Sequence, residues 1–326
     1  MDIVNWEYWP GWAVYLFVYI YIGSLMLRFK SKFFFALANP SIEFGGLYGE
    51  KKDELLASIP NQYKAKSILY TGQSYQEITE VLGPEIIIKP NQGEKGQGIF
   101  LIDNETDFNN YFQQQNFEVI IQEYLSDKVE LAVMYYRFPN DENGFVEGIT
   151  EKVLPVAVGD GESTLRQLCL KNHRFNRQNF DLKGNDDLVL AKGEEYLLSI
   201  VGNHIRGAKF LDAVELLQEK HHLIFDQISK TLGEVYCVRY DIKAKSKESF
   251  VRGEFKIVEV NGVGAEPTHM YDPKYGYWSA QKILWRHWRK IGRICHESLT
   301  KGNVVPSKTA GKAWQEEVKT YQSLIS

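Results

Sequence analysis

One stretch of the sequence joins a lysine at the end of an apolar run to a glycine-rich loop. Residues 86–90 read Ile-Ile-Ile-Lys-Pro, which predicts a strand that ends with the charge of Lys89. A loop over 91–98 follows at once, and its glycines let backbone N–H groups approach phosphate oxygens without interference from a Cβ atom. These glycines are Gly93, Gly96 and Gly98. The combination predicts a phosphate-binding site.

A second stretch, much later in the chain, offers oxygen ligands for a cation. Residues 255–261 are predicted to form a strand, and its alternation places Glu259 and Asn261 on the same face. Arg239 and Asp241 are also two residues apart, on the preceding predicted strand, and so share a face. If the two strands pair in the right register, Asp241 lies beside the other two oxygen donors. A hard divalent cation prefers such a set.

In this order, the two stretches resemble the ATP-grasp superfamily, and in particular its carboxylate-amine ligases of the D-alanine–D-alanine ligase and cyanophycin synthetase types. The resemblance covers residues 86–273, a little over half of the chain. It implies an α/β (α+β) chain with the ATP-grasp fold, in which two α+β subdomains grip ATP. It also implies Mg²⁺ as the metal that accompanies ATP, with Mn²⁺ as an alternative.

By this resemblance, positive charges surround the phosphoryl group that is transferred. Lys89 would hold the α and β phosphates, and Lys152 would lie toward the γ phosphate. Arg239 would stabilise the phosphorylated carboxylate and the tetrahedral intermediate that follows it. The alternatives are that Lys152 is a surface lysine and that Arg239 only forms a salt bridge. The implied metal ligands are Asp241, Glu259 and Asn261.

Other residues are candidates for binding the rest of the ligands. The resemblance places adenine against the backbone from Glu123 to Leu125 and the ribose hydroxyls on Glu130, which could also be an exposed carboxylate at a strand end. Arg206 could clamp a substrate carboxylate with two hydrogen bonds. Gly264 lies in the loop after the metal strand, where a backbone N–H could face the reacting carboxylate.

The resemblance implies an ATP-dependent ligase that activates a carboxylate as an acyl phosphate and joins it to an amine, with amino acid or peptide-like substrates. Two alternatives stay open. One is an ATP-grasp kinase of a small molecule, which would form ADP without an amide. The other is a non-catalytic nucleotide-binding protein that regulates a partner at a membrane. The sequence names neither the acid nor the amine, and it leaves the oligomeric state open.

The composition excludes some classes of partner. The 326 residues include 38 basic and 42 acidic side chains, so the net charge of −4 provides no global field for nucleic acid. Three widely spaced cysteines lack the spacing of a zinc site or a disulfide framework. We therefore expect a reducing compartment, the cytoplasm, with buried free thiols.

The N-terminal segment is unusual. Residues 8–27 carry no charge, and Arg28, Lys30 and Lys32 follow them. About 20 apolar residues can span a membrane, but Pro10, Gly11 and many aromatic residues favour an interface. The segment could be a membrane-associated helix, a packed or oligomer-forming helix, or a signal peptide. If it associates with a membrane, the basic residues after it would keep the rest of the chain on the cytoplasmic side.

Four regions follow from these patterns. They are an apolar N-terminal helix over 1–32, a short leading region over 33–84, an ATP-grasp domain over 85–273 and a helical tail over 274–326. The leading region is much shorter than the α/β domain that precedes the lysine strand in most grasp ligases. The upstream lysine that such ligases carry has no clear match, although Lys64 or Lys66 could serve.

Periodicity and capping residues predict the elements that position the site. Ser74 is predicted to cap a helix over 74–82, and the strands on both sides of the glycine loop are predicted to form a hairpin lid. A long amphipathic helix is expected over 211–232. A strand over 234–242 and another over 250–260 should pair across a charged turn. In the tail, Lys282, Arg286, Arg289 and Arg293 follow helical spacing, which suits either solvent or an anionic membrane surface.

Overall fold

The computed structural model describes residues 6–93, 96–113 and 117–325, in which helices and antiparallel sheets are mixed as the sequence predicts. The strands are β1 Ser67–Leu69, β2 Ile86–Pro90, β3 Phe100–Ile102, β4 Val119–Glu123, β5 Val129–Tyr136, β6 Phe145–Val153, β7 Val156–Val158, β8 Glu195–Leu197, β9 Lys209–Asp212, β10 Cys237–Ala244 and β11 Lys256–Asn261. The α-helices are α1 Gly11–Val14, α2 Leu16–Phe29, α3 Lys52–Ala57, α4 Tyr75–Leu82, α5 Glu105–Gln113, α6 Leu165–Lys171, α7 Glu219–Thr231, α8 Lys247–Arg252, α9 Tyr277–Thr300 and α10 Lys308–Ile325.

A small sheet carries the lysine strand. Its strand order is β1-β4-β2-β3, so that β2 and β3 form the predicted hairpin around the glycine loop. Helices α4 and α5 cover this sheet, and Ile78 and Phe108 pack against Ile86 and Ile121. Ser74 caps α4 as predicted, because its hydroxyl accepts from the Glu77 N–H while the Glu77 carboxylate accepts from the Ser74 N–H. The small sheet also takes β1 from the leading region.

A larger sheet carries the acidic residues. Its order is β11-β10-β5-β6-β9, with every neighbouring pair antiparallel. On one side, Phe225 and Ile228 of α7 and Leu56 of α3 join its core. On the other side, the segment 33–38 packs with Ile291 and Ile294 of α9. The sheet is therefore covered on both faces, and its strand β5 is buried along almost its whole length.

Two predictions about this sheet were wrong. The region 211–232 is not one helix, because β9 pairs with β6 at the edge of the sheet and α7 begins only at Glu219. The predicted second hairpin strand over 250–260 begins only at Lys256, because α8 occupies the connection and buries Phe250. In both places, short apolar runs fit helix and strand equally well, and sheet pairing decided between them.

The apolar N-terminal segment packs on the body of the protein. Tyr15 separates α1 from α2, and α2 contributes Val18 and Leu25 to the same apolar clusters as Leu284 and Ile291 of α9. Within the described residues, no helix is long and apolar enough to cross a membrane. The side of α2 that carries Val18 and Leu25 is a packing surface, as one of the sequence alternatives held.

Two backbone segments approach each other closely next to the metal strand. The N–H of Val263 donates to the Gly45 carbonyl at 2.9 Å, and that of Gly264 donates to the Gly46 carbonyl at 3.0 Å. A Cβ atom at Gly264 would collide with the carbonyl oxygen of Leu47. Glycine is needed here because the two backbones lie in contact.

We expect Gly264→Ala to lower the free energy of unfolding by about 1–3 kcal/mol, since the added methyl group must displace backbone atoms. Chemical denaturation measures this change. Gly23→Ala is the matched control, because no atom lies within 4 Å of the added methyl group. In the helix α2, this control should keep or slightly raise the stability. Equal stability of the two variants would contradict the packing described.

Candidate functional site

One cavity of about 550 Å³ lies between the two sheets. It collects most of the residues that the sequence singles out, from both the small and the large sheet. Those that line it are Lys89, Gly93, Gly96, Glu123, Leu125, Glu130, Lys152, Arg239, Asp241, Glu259, Asn261 and Gly264. Gly98 and Arg206 are not among its lining residues. The two distant stretches of sequence therefore meet, as predicted.

Lys89 reaches from the small sheet to the large one. Its Nζ donates to Gln122 Oε1 at 3.0 Å and to the carbonyl of Val258, in β11, at 2.9 Å. Burial lowers the pKa of Lys89 to about 8, and the nearby charge of Lys52 acts in the same direction, while Glu259 opposes it. Both hydrogen-bond acceptors are neutral. The ammonium group therefore lies in a site where a bound anion would stabilise its charge.

The glycines of the loop have the backbone conformation that glycine favours. Gly93, Gly96 and Gly98 all have positive φ angles, of 144°, 69° and 67°. Glu94 and Lys95 of the loop lie outside the described residues. Arg206 lies beside the loop, since its Nε would be 3.7 Å from a Cβ atom at Gly96. The clamp on a substrate carboxylate that the sequence suggested for Arg206 stays a prediction.

Asp241 is the centre of a buried charge cluster on the large sheet. It accepts from Arg239 Nε at 3.0 Å and from Lys152 Nζ at 2.9 Å, and Lys152 also lies 3.2 Å from Glu130 Oε1. Burial raises the pKa of Asp241, but the two cations outweigh it and hold this pKa at about 2. The pKa of Lys152 is raised, because Asp241 and Glu130 overcome the effect of burial. Lys152 is thus a buried lysine rather than a surface one, and Glu130 is buried too.

The predicted metal ligands are neighbours. In the β10–β11 pair, Asp241 lies directly opposite Glu259, and Asn261 lies opposite Arg239. Asn261 Nδ2 is 3.4 Å from Asp241 Oδ2. Glu259 and Asn261 are half-buried rather than nearly buried, so a ligand could reach them. The register on which the prediction depended is confirmed.

This donor set fits magnesium. It consists of two carboxylates and an amide oxygen, which are the hard donors that Mg²⁺ prefers. In the described parts of the chain, no group of three or more His, Cys, Asp or Glu side chains could hold a metal by itself. Mg²⁺ commonly takes one or two carboxylates and completes its shell with water and substrate phosphates. The residues therefore fit a metal that binds together with a nucleotide.

One lysine of the cavity, Lys52, is not recognisable from the sequence. Lys52 is buried; its Nζ donates to the Gly93 carbonyl at 2.8 Å and lies 3.6 Å from Glu259 Oε1. Neither lysine proposed for this upstream role fills it: Lys64 donates to the Leu56 carbonyl at 3.0 Å, and Lys66 is exposed. Lys52 reads in the sequence as part of a charged helix start, so no local signal distinguished it.

Gly264 lines the cavity, but its N–H has another role. Because this N–H donates to the Gly46 carbonyl, it is not available to a reacting carboxylate. Gly264 stays a predicted substrate residue, but a contact through its N–H would have to replace the bond to the Gly46 carbonyl in the segment 45–47.

The N-terminal segment also forms part of the cavity wall. Trp9, Val14 and Tyr15 line it together with Tyr271. The hydroxyl of Tyr15 donates to Glu266 at 2.6 Å and lies 3.1 Å from that of Tyr271. Burial raises the pKa of Glu266 to about 7, against the effects of Tyr15 and Arg239. No local pattern in the sequence indicates this role, since residues 8–27 read as a membrane or packing helix.

No protein family matches the sequence, and no curated protein does. Among solved structures, the chain is similar to a D-alanine–D-alanine ligase from Bacillus anthracis, with 14% identity and a TM-score of 0.42 over 77% of this chain and 69% of that one. It is similar to the corresponding ligase from Coxiella burnetii, with 8% identity and a TM-score of 0.43 over 84% of this chain and 61% of that one. For a bifunctional glutathione synthetase from Pasteurella multocida, identity is 15% and the TM-score 0.34, over 74% of this chain and only 38% of that one. The chain spans between 38% and 69% of the lengths of these three proteins.

The lowered pKa of Lys89 predicts that nucleotide affinity depends on pH. Phosphate binds the charged ammonium, which a group of pKa about 8 loses as the pH rises past that value. Between pH 7 and pH 9 the protonated fraction falls about tenfold, so the affinity for ADP should fall by up to about tenfold. Calorimetric titration at the two pH values measures this.

Lys89→Arg is the control for this pH dependence, because its guanidinium stays charged at both pH values. The ADP affinity of this variant should change much less between them. An equal loss of affinity in both proteins would show that another group is responsible.

Proposed function

We propose that this protein is an ATP-dependent ligase that activates a carboxylate as an acyl phosphate and joins it to an amine. The observation that supports the proposal most is the convergence of Lys89, Lys152 and Arg239 with Asp241 and Glu259 on one cavity. Phosphoryl transfer needs cations aimed at the developing charge, and it needs little covalent chemistry from the protein. The cavity has the size of a small-molecule site.

Three cations have different places around the nucleotide. Lys89 and Lys52 line the cavity together with Gly93 and Gly96 of the glycine loop and would hold the phosphates nearest to that loop. Lys152 lies on the large sheet beside Asp241 and would face the phosphate that is transferred. Asp241, Glu259 and Asn261 would hold Mg²⁺ or Mn²⁺, and the metal would supply positive charge that offsets the charge of the phosphates.

The reaction has two steps. In the first, an oxygen of the substrate carboxylate bonds to the γ-phosphorus of ATP as the bond to the bridging oxygen breaks, and ADP leaves. In the second, the amine nitrogen bonds to the acyl carbon, phosphate leaves with the bonding electrons, and the amine loses a proton. Arg239 would stabilise the negative charge on the acyl phosphate. Arg239 and Lys152 share Asp241 before substrates bind, so both cations are held in place in advance.

The apolar side chains that line one part of the cavity indicate which kind of substrate could bind there. Trp9, Val14, Tyr15, Phe210 and Tyr271 give part of the cavity an apolar surface. An amino acid or peptide-like acid or amine with an apolar or aromatic portion would bury that portion there.

The proposed use of ATP and the cysteines fit a protein of the cytoplasm, because Cys169, Cys237 and Cys295 are free and buried.

The proposal predicts ADP release that depends on substrate. Purified protein with Mg-ATP is screened against pools of amino acids and dipeptides, with ADP measured by a coupled assay and products by mass spectrometry. Glu259→Gln should lower turnover on the order of a hundredfold or more, because it removes a carboxylate that would hold Mg²⁺ near the transferred phosphate. Glu254→Gln is the matched control, since Glu254 is an exposed carboxylate that pairs with Arg252 outside the cavity. This control should keep full turnover.

The products separate the alternatives. An amide together with ADP supports the ligase, whereas a phosphorylated substrate without an amide would identify a kinase. Nucleotide binding with no turnover in any pool would contradict the ligase proposal and favour a regulatory nucleotide-binding protein.

A further inference from the structure

Helices α2 and α9 together expose large apolar side chains that the nucleotide cavity does not use. They pack side by side, with the Tyr21 and Trp285 rings 4.6 Å apart and the Phe17 and Trp278 rings 5.7 Å apart. We define the aromatic face as Leu16, Phe17, Ile20, Leu27, Trp278 and Trp285, all of them exposed. Ile20 is 69% exposed, Leu27 81% and Trp278 66%. A contiguous patch of this kind marks an interaction surface.

Positive charges lie on the same face. In α9, Trp278, Lys282, Trp285 and Arg289 follow the spacing of one helix face, and all four are exposed. Arg28 lies in the last turn of α2 and Lys30 follows the helix, and both are exposed. Two neighbouring cations of α9, Lys290 and Arg293, are instead paired with the carboxylates of Glu147 and Glu297.

Negative charge is missing from this part of the sequence. Neither residues 8–42 nor residues 273–296 contain an aspartate or a glutamate, although the whole chain has a net charge of −4. The aromatic face is therefore a positive and apolar patch on an otherwise slightly acidic protein. A partner that fits the aromatic face should offer an apolar region to the exposed side chains and negative charge to the basic residues.

We propose that the aromatic face docks on an anionic lipid membrane, with α2 and α9 lying along its surface. Tryptophan, long aliphatic side chains and basic residues on one helix face are the composition of a helix that lies in a membrane interface. A second copy of the chain is a poorer occupant, because two faces with the same positive charge repel each other.

Flotation of the full-length protein with lipid vesicles tests the proposal. The protein should float with vesicles of phosphatidylcholine mixed with phosphatidylglycerol, should not float with phosphatidylcholine alone, and should be released by salt. Lys282→Gln with Arg289→Gln should weaken vesicle binding on the order of tenfold or more, since each basic residue near an anionic surface contributes several-fold. Ile20→Ser with Leu27→Ser should weaken it as well, through the lost apolar burial.

Matched controls remove the same groups elsewhere. Lys220→Gln with Lys245→Gln deletes two exposed charges away from the face, and Leu223→Ser with Val81→Ser deletes two exposed apolar side chains on α7 and α4. Both controls should float like the unaltered protein, and thermal melting should show that all variants are folded. All of the substituted residues lie outside the cavity lining, so nucleotide binding should be unchanged in every variant. If the protein does not bind vesicles, the ligase proposal is therefore unaffected.

Two results would overturn the inference. One is the absence of flotation with anionic vesicles at low salt. The other is a dimer in sedimentation that Ile20→Ser with Leu27→Ser dissociates, in the absence of vesicle binding, which would identify the face as a contact between two copies of the chain.

Discussion

The rest of the structure depends on the burial of several charged side chains around one cavity. A buried charge is costly unless an opposite charge or good hydrogen bonds compensate it. On the large sheet, Lys152 and Arg239 meet this requirement through Asp241, which both of them contact. Lys89 is different, because the hydrogen bonds of its ammonium group go to the neutral oxygens of Gln122 and Val258. Its lowered pKa follows from this, and so does its suitability for an anionic ligand.

The two sheets bring these charges together through ordinary strand pairing. Register between β10 and β11 sets Asp241 opposite Glu259, and β5 and β6 deliver Glu130 and Lys152 to the same side. The bond from Lys89 to the Val258 carbonyl joins the small sheet to the large one. A small movement of one sheet against the other would therefore change the surroundings of Lys89 directly. A nucleotide in the cavity would therefore act on both sheets together rather than on either sheet alone.

Much of this arrangement could be predicted from the sequence, and the failures have a common cause. Lys89, the glycine loop and the pair of Glu259 with Asn261 are local patterns, which alternation and glycine chemistry make readable. Lys52 and Tyr15 enter the cavity only through tertiary packing, and their neighbours in sequence indicate a charged helix start and an apolar segment. The helix predicted over 211–232 failed because a sheet edge captured its first residues as β9.

The most direct test of the account is the effect of Mg²⁺ on ADP binding, measured by calorimetric titration with and without the metal. If the basic and acidic halves of the cavity form one site, Mg²⁺ should raise ADP affinity in the unaltered protein. This gain should be lost in the double variant Asp241→Asn with Glu259→Gln, which removes both carboxylates that could bind the metal. An equal gain in both proteins would contradict the account, because the metal would then act without the residues assigned to it.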